Sequence, residues 1–104
     1  MPTTIIVPDR VLEQRLTALA YANEVRMKRA ALKRAVADGS TTVAEVIRTV
    51  PWYAATMALG ELLGSQYQWG VCRVSRFLAD VGIGEMKRVG ALTERQRLVL
   101  AGRL

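Results

Sequence analysis

Gly82-Ile83-Gly84-Glu85-Met86-Lys87-Arg88-Val89-Gly90-Ala91-Leu92 is the stretch on which the reading of the fold turns. Its three glycines permit tight turns and positive φ, while Lys87 and Arg88 sit at its centre. Ile83, Val89 and Leu92 are placed to anchor it on a core. A charged tip on apolar anchors holds cations at a fixed place, a rigidity that a merely solvated loop does not need. Helical patterns flank the stretch on both sides. Before it, Val74, Phe77, Leu78 and Val81 share one face of a helix from about Val71 to Val81, with Gly82 as its C-cap. After it, Thr93-x-x-Gln96 is a capping box that opens a last helix and buries Leu100.

Working outward, Thr42-x-x-Glu45 is a second capping box, followed by Val43, Val46 and Ile47 as core positions, and Pro51 ends or redirects that helix. The spacing predicts a third helical segment from Trp52 to Leu63, with Tyr53, Met57, Leu62 and Leu63 facing inward and Gly64 as its stop. A turn, Ser65-Gln66-Tyr67-Gln68-Trp69-Gly70, leads into the Val71 helix. Toward the N-terminus, Asp9 is a good N-cap for a helix running to Asp38 before Gly39, about 45 Å at 1.5 Å per residue. Leu12, Leu16, Leu19, Met27 and Ala30 form one stripe along it and read as core contacts. Thr3 to Val7 is β-branched but isolated between prolines, so residues 1–8 read as an extended tail. The predicted architecture is all-α and a single domain over residues 1–104. A long N-terminal helix (9–38) packs on a compact bundle of short helices (42–104).

Composition removes most alternatives. With 104 residues, 51% of them apolar, the chain suits one modest core and is not a disordered polypeptide. No apolar run reaches the ~18 residues of a membrane span, and no secretion signal opens the chain. There is no His and a single Cys, so imidazole-based nucleophile arrangements, an internal disulfide and a zinc site are all excluded. Neither a P-loop nor a GxGxxG occurs. No catalytic residue, cofactor or metal is expected, and the expected compartment is the cytoplasm. Cys72, near the start of the fourth helix in an apolar setting, reads as a structural thiol.

The net charge of +6, with a pI near 10.3, points to a polyanionic partner. The excess lies in two blocks. Residues 26–38 carry Arg26, Lys28, Arg29, Lys33 and Arg34 against Asp38, and residues 85–104 carry five cations against Glu85 and Glu94. The intervening stretch balances. Arg15, Arg26, Arg29 and Lys33 cluster beside the leucine stripe, where they serve either as a solvated face or as phosphate contacts; five cations without an acid over 26–34 favour the second. Gly70, at a helix start with Arg73 in the first turn, is a weaker phosphate-binding element.

The run Val81-Gly82-Ile83-x-Glu85-x-Lys87-Arg88-Val89-x-x-Leu92, followed by Gln96 and Leu100, resembles the C-terminal part of the actinobacterial integration host factors. Arg26-x-x-Arg29-x-x-Leu32-Lys33, Gly39-Ser40, Glu45-Val46-Ile47, Met57 and Leu62-Leu63 are similar to that family in the same order. The resemblance covers about residues 24–100 and is most specific over 81–92. It implies a helix-two-turn-helix bundle carrying a long N-terminal helix. It also implies a nucleoid-associated protein that binds duplex DNA with little sequence preference, bends it, and serves nucleoid organisation and phage integration. By the same resemblance Lys87 and Arg88 match the family's basic pair, Arg73 a basic position in a second DNA-facing element, and Ser65 and Gly70 its first turn.

That turn departs from the family pattern Leu-Pro-Gly-Val-Gly-Lys, reading Gln66-Tyr67-Gln68-Trp69-Gly70-Val71, and a further family Arg is replaced by Gly90. Such divergence suits a phage-encoded or accessory paralogue. Trp69 reads either as a half-buried turn aromatic or as a wedge at a base step. The expected partners are duplex DNA, contacted by Lys87, Arg88, Arg73, Gly70, Ser65, Trp69, Arg26, Arg29, Lys33 and Arg34, and a site-specific integrase complex. The protein is expected to act as a monomer. Two other readings stay open: a helical protein-interaction module of phage or bacterial origin using the Leu12/Leu16/Leu19 stripe, and an RNA-binding helix-two-turn-helix protein.

Overall fold

A computed structural model describes residues 9–104; the tail reading of residues 1–8 lies outside them. Five helices follow in order: α1 (Asp9–Asp38), α2 (Val43–Thr49), α3 (Leu59–Gly64), α4 (Val71–Val81) and α5 (Glu94–Arg103). A 3₁₀ turn, Val89–Ala91, precedes α5. The fold is all-α, as predicted, with a long N-terminal helix on short ones.

Helix ends lie where local chemistry puts them. Thr42 caps α2 by accepting from the Glu45 N–H at 3.2 Å. The reciprocal half of that box is not made, because the Glu45 carboxylate accepts from Arg48 instead, and those hydrogen bonds hold it below its ordinary pKa. The Thr93 box is complete: Gln96 N–H donates to the Thr93 hydroxyl at 3.1 Å, and Thr93 N–H to the Gln96 side chain at 2.9 Å. Gly82 ends α4 at φ 73°, a left-handed conformation that costs glycine nothing. Pro51 disfavours the α region for Val50, which closes α2 at φ 43° while its N–H still bonds the Val46 carbonyl at 2.8 Å.

Two expectations need correction. The third helix starts at Leu59, not Trp52. Residues 52–57 form consecutive turns, with Ala54 N–H on the Pro51 carbonyl and Met57 N–H on the Ala54 carbonyl. Ala58 is extended (φ −70°, ψ 138°) because it pairs antiparallel with Arg88. Local helical spacing is overridden by a long-range partner.

The second correction concerns α1. Leu12, Leu16 and Leu19 are 49%, 59% and 58% exposed, and Met27 and Ala30 are exposed as well. Only Leu32 and Val36 of this helix enter the core. The described residues span 66 × 27 × 25 Å, and α1 up to about Leu19 runs beyond the bundle and meets no surface on which to pack; Tyr21, against Trp52, marks where contact begins. The core itself comprises Leu32, Val36, Val43, Val46, Ile47, Ala54, Met57, Leu59, Leu62, Leu63, Val74, Leu78, Ile83, Val89, Leu92 and Leu100, with Tyr53, Trp69, Phe77 and Val81 half-buried against it.

Candidate nucleic-acid interface

The loop carrying Lys87 and Arg88 is laced to residues 55–60 by backbone hydrogen bonds. Leu59 N–H donates to the Lys87 carbonyl at 2.8 Å and Gly60 N–H to that of Glu85 at 2.9 Å. From the other side, Val89 N–H donates to the Met57 carbonyl at 3.0 Å and Gly90 N–H to that of Ala55 at 2.8 Å. Ile83, Val89 and Leu92 are buried, as their spacing predicted. A Cβ on Gly90 would come within 3.0 Å of the Ala55 Cβ and carbonyl oxygen. A larger residue there presses on the backbone that holds the loop. The two cations are thus carried on a pinned support, Lys87 half-buried and Arg88 exposed.

Part of the α1 block joins them. The Arg29 Nε donates to the Tyr53 carbonyl at 2.7 Å and its Nη2 to the Thr56 hydroxyl. From the other side of the same turn, Arg88 Nη1 donates to the Thr56 carbonyl at 2.6 Å. Lys33 pairs with Glu61 of α3 at 2.5 Å. The two positive blocks, separate in sequence, therefore meet around residues 53–61. Arg29 and Lys33 thereby tie α1 to the bundle, a structural role that neither sequence reading of this face, solvated or phosphate-contacting, includes. Arg26 and Arg34 are exposed and take no part in the side-chain hydrogen bonds or ion pairs found among the described residues.

A second basic group gathers where α4 begins. Gly70 precedes α4 in extended conformation, and no side chain caps the helix. The Arg73 guanidinium lies 4.4 Å from the centroid of the Trp69 ring, and Trp69 meets Phe77 edge-on at 5.2 Å. This is the half-buried turn aromatic, with a cation over its face. Ser65 turns its hydroxyl to the Leu62 carbonyl at 2.5 Å and so serves the end of α3. Arg76 and Arg103 stand in the same shallow cleft as Arg73, and Arg103 pairs with Asp80. The sequence reading missed both. Arg76 was within reach through its spacing of three from Arg73, whereas the Arg103–Asp80 approach has no local signal. Cys72 is exposed, not set in apolar surroundings: Val74 and Leu78 take the inner face of α4, and Cys72 falls on the opposite side.

Thr56, Trp52 and Tyr21 were also missed. The Trp52 and Tyr21 rings meet as a tilted pair, centroids 5.6 Å apart, and lie beside Arg26, Arg29 and Lys33 in a cleft of about 610 Å³.

A long helix on a bundle of short helices, with a clamped basic loop and a basic helix start, defines a small all-helical protein of the integration-host-factor-like fold. No family model matches the chain, and no curated protein matches it. Among solved structures, that of sIHF bound to an 8 bp palindromic DNA is similar, with a TM-score of 0.75 and 26% sequence identity, covering 81% of this chain and 97% of that one. The likeness supports the coarser reading, an integration-host-factor-like protein.

Proposed function

We propose that this chain is an architectural protein that binds duplex DNA. It tolerates many sequences, contacts the backbone and minor groove, and stabilises a bend. The observation that carries this reading is the convergence of Arg29 and Arg88 on Thr56, which holds cations from both ends of the chain in one rigid arrangement. The likeness to a DNA-bound protein supports it.

Lys87 and Arg88 form the primary contact, with Arg29 and Lys33 beside them and Arg26 and Arg34 adding diffuse attraction. Gly70, Ser65, Trp69 and Arg73 form the second contact, where the free N–H groups of α4 and the Arg73 charge face a phosphate. Each neutralised phosphate releases counterions, and fixed cations set the register in which the duplex curves. In this reading the protein acts as a monomer in the nucleoid and assists a site-specific integrase complex, as a divergent actinobacterial or phage-encoded member of the integration host factors.

Gel-shift titration of short duplexes at several salt concentrations tests this. With about five phosphate contacts, log K falls against log[salt] with a slope of roughly −4 to −5. A flat response overturns the reading. It would leave the helical interaction module as the alternative, favoured by exposed Leu12, Leu16 and Leu19, and stable co-purification with a protein partner would then identify it.

A further inference from the structure

The cleft between α1 and the 52–56 turn has the chemistry of a different kind of nucleic-acid contact from the basic loop. Its walls are Tyr21, Arg26, Arg29 and Lys33 on α1, and Trp52, Tyr53 and Thr56 on the turn, with Glu61 at one end. Trp52 is 48% and Tyr21 57% exposed, although both are large aromatic side chains that a folded chain ordinarily covers. They lie 5.6 Å apart and 33° from parallel, and Tyr53 meets Trp52 edge-on at 5.6 Å. The result is a contiguous aromatic shelf whose members Trp52 and Tyr21 are each about half exposed. Its setting is cationic: Glu61, the one carboxylate of the lining, is already paired with Lys33, and Arg26 projects into the cleft without a partner among the described residues.

Flat aromatic faces beside unpaired cations suit a nucleotide whose base is free to stack and whose phosphate is within reach of an arginine. An intact duplex offers phosphates to this cleft but keeps its base faces stacked inside, so it leaves the shelf unused. A cleft of about 610 Å³ is within the size range of pockets that enclose small ligands, and is ample for one nucleotide. Arg29 is already committed to the Tyr53 carbonyl and Thr56, which fixes the floor of the cleft and leaves Arg26 as its free charge.

The geometry points to a binding site for an unpaired DNA nucleotide, its base packed on the exposed side of the Trp52–Tyr21 pair and its phosphate met by Arg26. The site lies next to the Thr56 turn, where the proposed duplex contact begins, so it serves DNA that carries single-stranded ends, gaps or a strand junction. This inference extends the proposed duplex reading and rests on it for the position of the DNA.

The test uses the full chain and fluorescence anisotropy on four duplexes of equal paired length: one blunt, one with a short thymidine overhang, one with an abasic overhang carrying the same phosphates, and one with a uridine ribonucleotide overhang. The thymidine overhang is expected to bind about tenfold more tightly than the abasic one, the ratio equivalent to about 1.4 kcal/mol. Trp52→Ala and Tyr21→Ala each remove most of that ratio while affinity for the blunt duplex stays within about twofold, and circular dichroism confirms the fold. Equal affinity of the unmodified protein for the thymidine and abasic overhangs overturns the proposal, whether or not either variant folds. So does an equal loss on blunt and overhang DNA in the Tyr21→Ala protein, and so does tighter binding of a uridine ribonucleotide overhang, which reassigns the cleft to RNA. Failure of the blunt duplex to bind at all counts against the duplex reading instead. In that case thymidine and abasic single strands compared alone decide the cleft.

Discussion

Arg29 and Arg88 grip the same residue from opposite ends of the chain: Arg29 donates to the Thr56 hydroxyl and Arg88 to the Thr56 carbonyl. Neither contact has the local spacing of a helix pair. Each holds the turn that also carries the backbone ladder to residues 85–90. The two arginines therefore stabilise one element and are expected to couple. Arg29→Ala should cost about 1.5–3 kcal/mol, as loss of hydrogen bonds from a charged donor usually does. Arg29→Ala and Arg88→Ala combined should depart from additivity by at least ~0.5 kcal/mol in urea unfolding. Strict additivity would show that the turn is held independently of its two clamps.

The exposed half of α1 gives a contrasting outcome. Leu12, Leu16 and Leu19 touch no core, so replacing all three by Ser should shift stability by no more than ~0.5 kcal/mol per site. Leu32→Ala, only a few turns further along, removes a buried side chain and should cost about 2–4 kcal/mol. Thermal melts of the two proteins separate the cases. A large loss in the triple variant would mean that the leucines are covered in solution, by a partner helix or a second copy.

The contrast between the Thr56 clamp and the exposed leucines marks where sequence is a sufficient guide. Thr42, Thr93, Gly82 and Gly39 mark helix ends because the groups they satisfy lie within a few residues, and those ends are where they were expected. Ile83, Val89 and Leu92 were legible as anchors for the same reason. The extended Ala58 was not, since its partner, Arg88, lies in another segment. The leucine stripe misled because periodicity reports that a face is apolar, not that the chain supplies something to cover it. The candidate site divides likewise. Lys87 and Arg88 announce themselves, whereas the role of Arg29 depends on the Thr56 hydroxyl and the Tyr53 carbonyl, which no motif places beside it.

Cys72 offers a simple check on the α4 surface. It is exposed on the side opposite Val74 and Leu78, so a thiol reagent should modify it in the native protein without first unfolding it. Cys72→Ser should leave both melting temperature and duplex affinity nearly unchanged. Modification only under denaturing conditions would show that this side of α4 is covered.

The last prediction concerns which cations bend DNA and which merely attract it. In sequence the cations divide between the Gly-bounded loop and the long helix. In the structure the division between held and free side chains falls within the helix itself. Arg29 and Lys33 are tied to the bundle through Tyr53, Thr56 and Glu61, while Arg26 and Arg34 are not. Fixed cations select a groove geometry, whereas charges on unrestrained side chains act mainly through screened attraction. Replacing Lys87 and Arg88 together by Ala should therefore abolish bending and cost about 1–3 kcal/mol of affinity, by analogy with groove contacts. Replacing Arg26 and Arg34 should lower affinity at low salt and reduce the salt slope by about one per lost phosphate contact, with bending kept in the complexes that form. Energy transfer across an end-labelled blunt duplex reads the bend, and circular dichroism confirms that both variants stay helical. A helix variant that loses the bend while the loop variant keeps it would transfer the primary contact from the Lys87–Arg88 loop to α1.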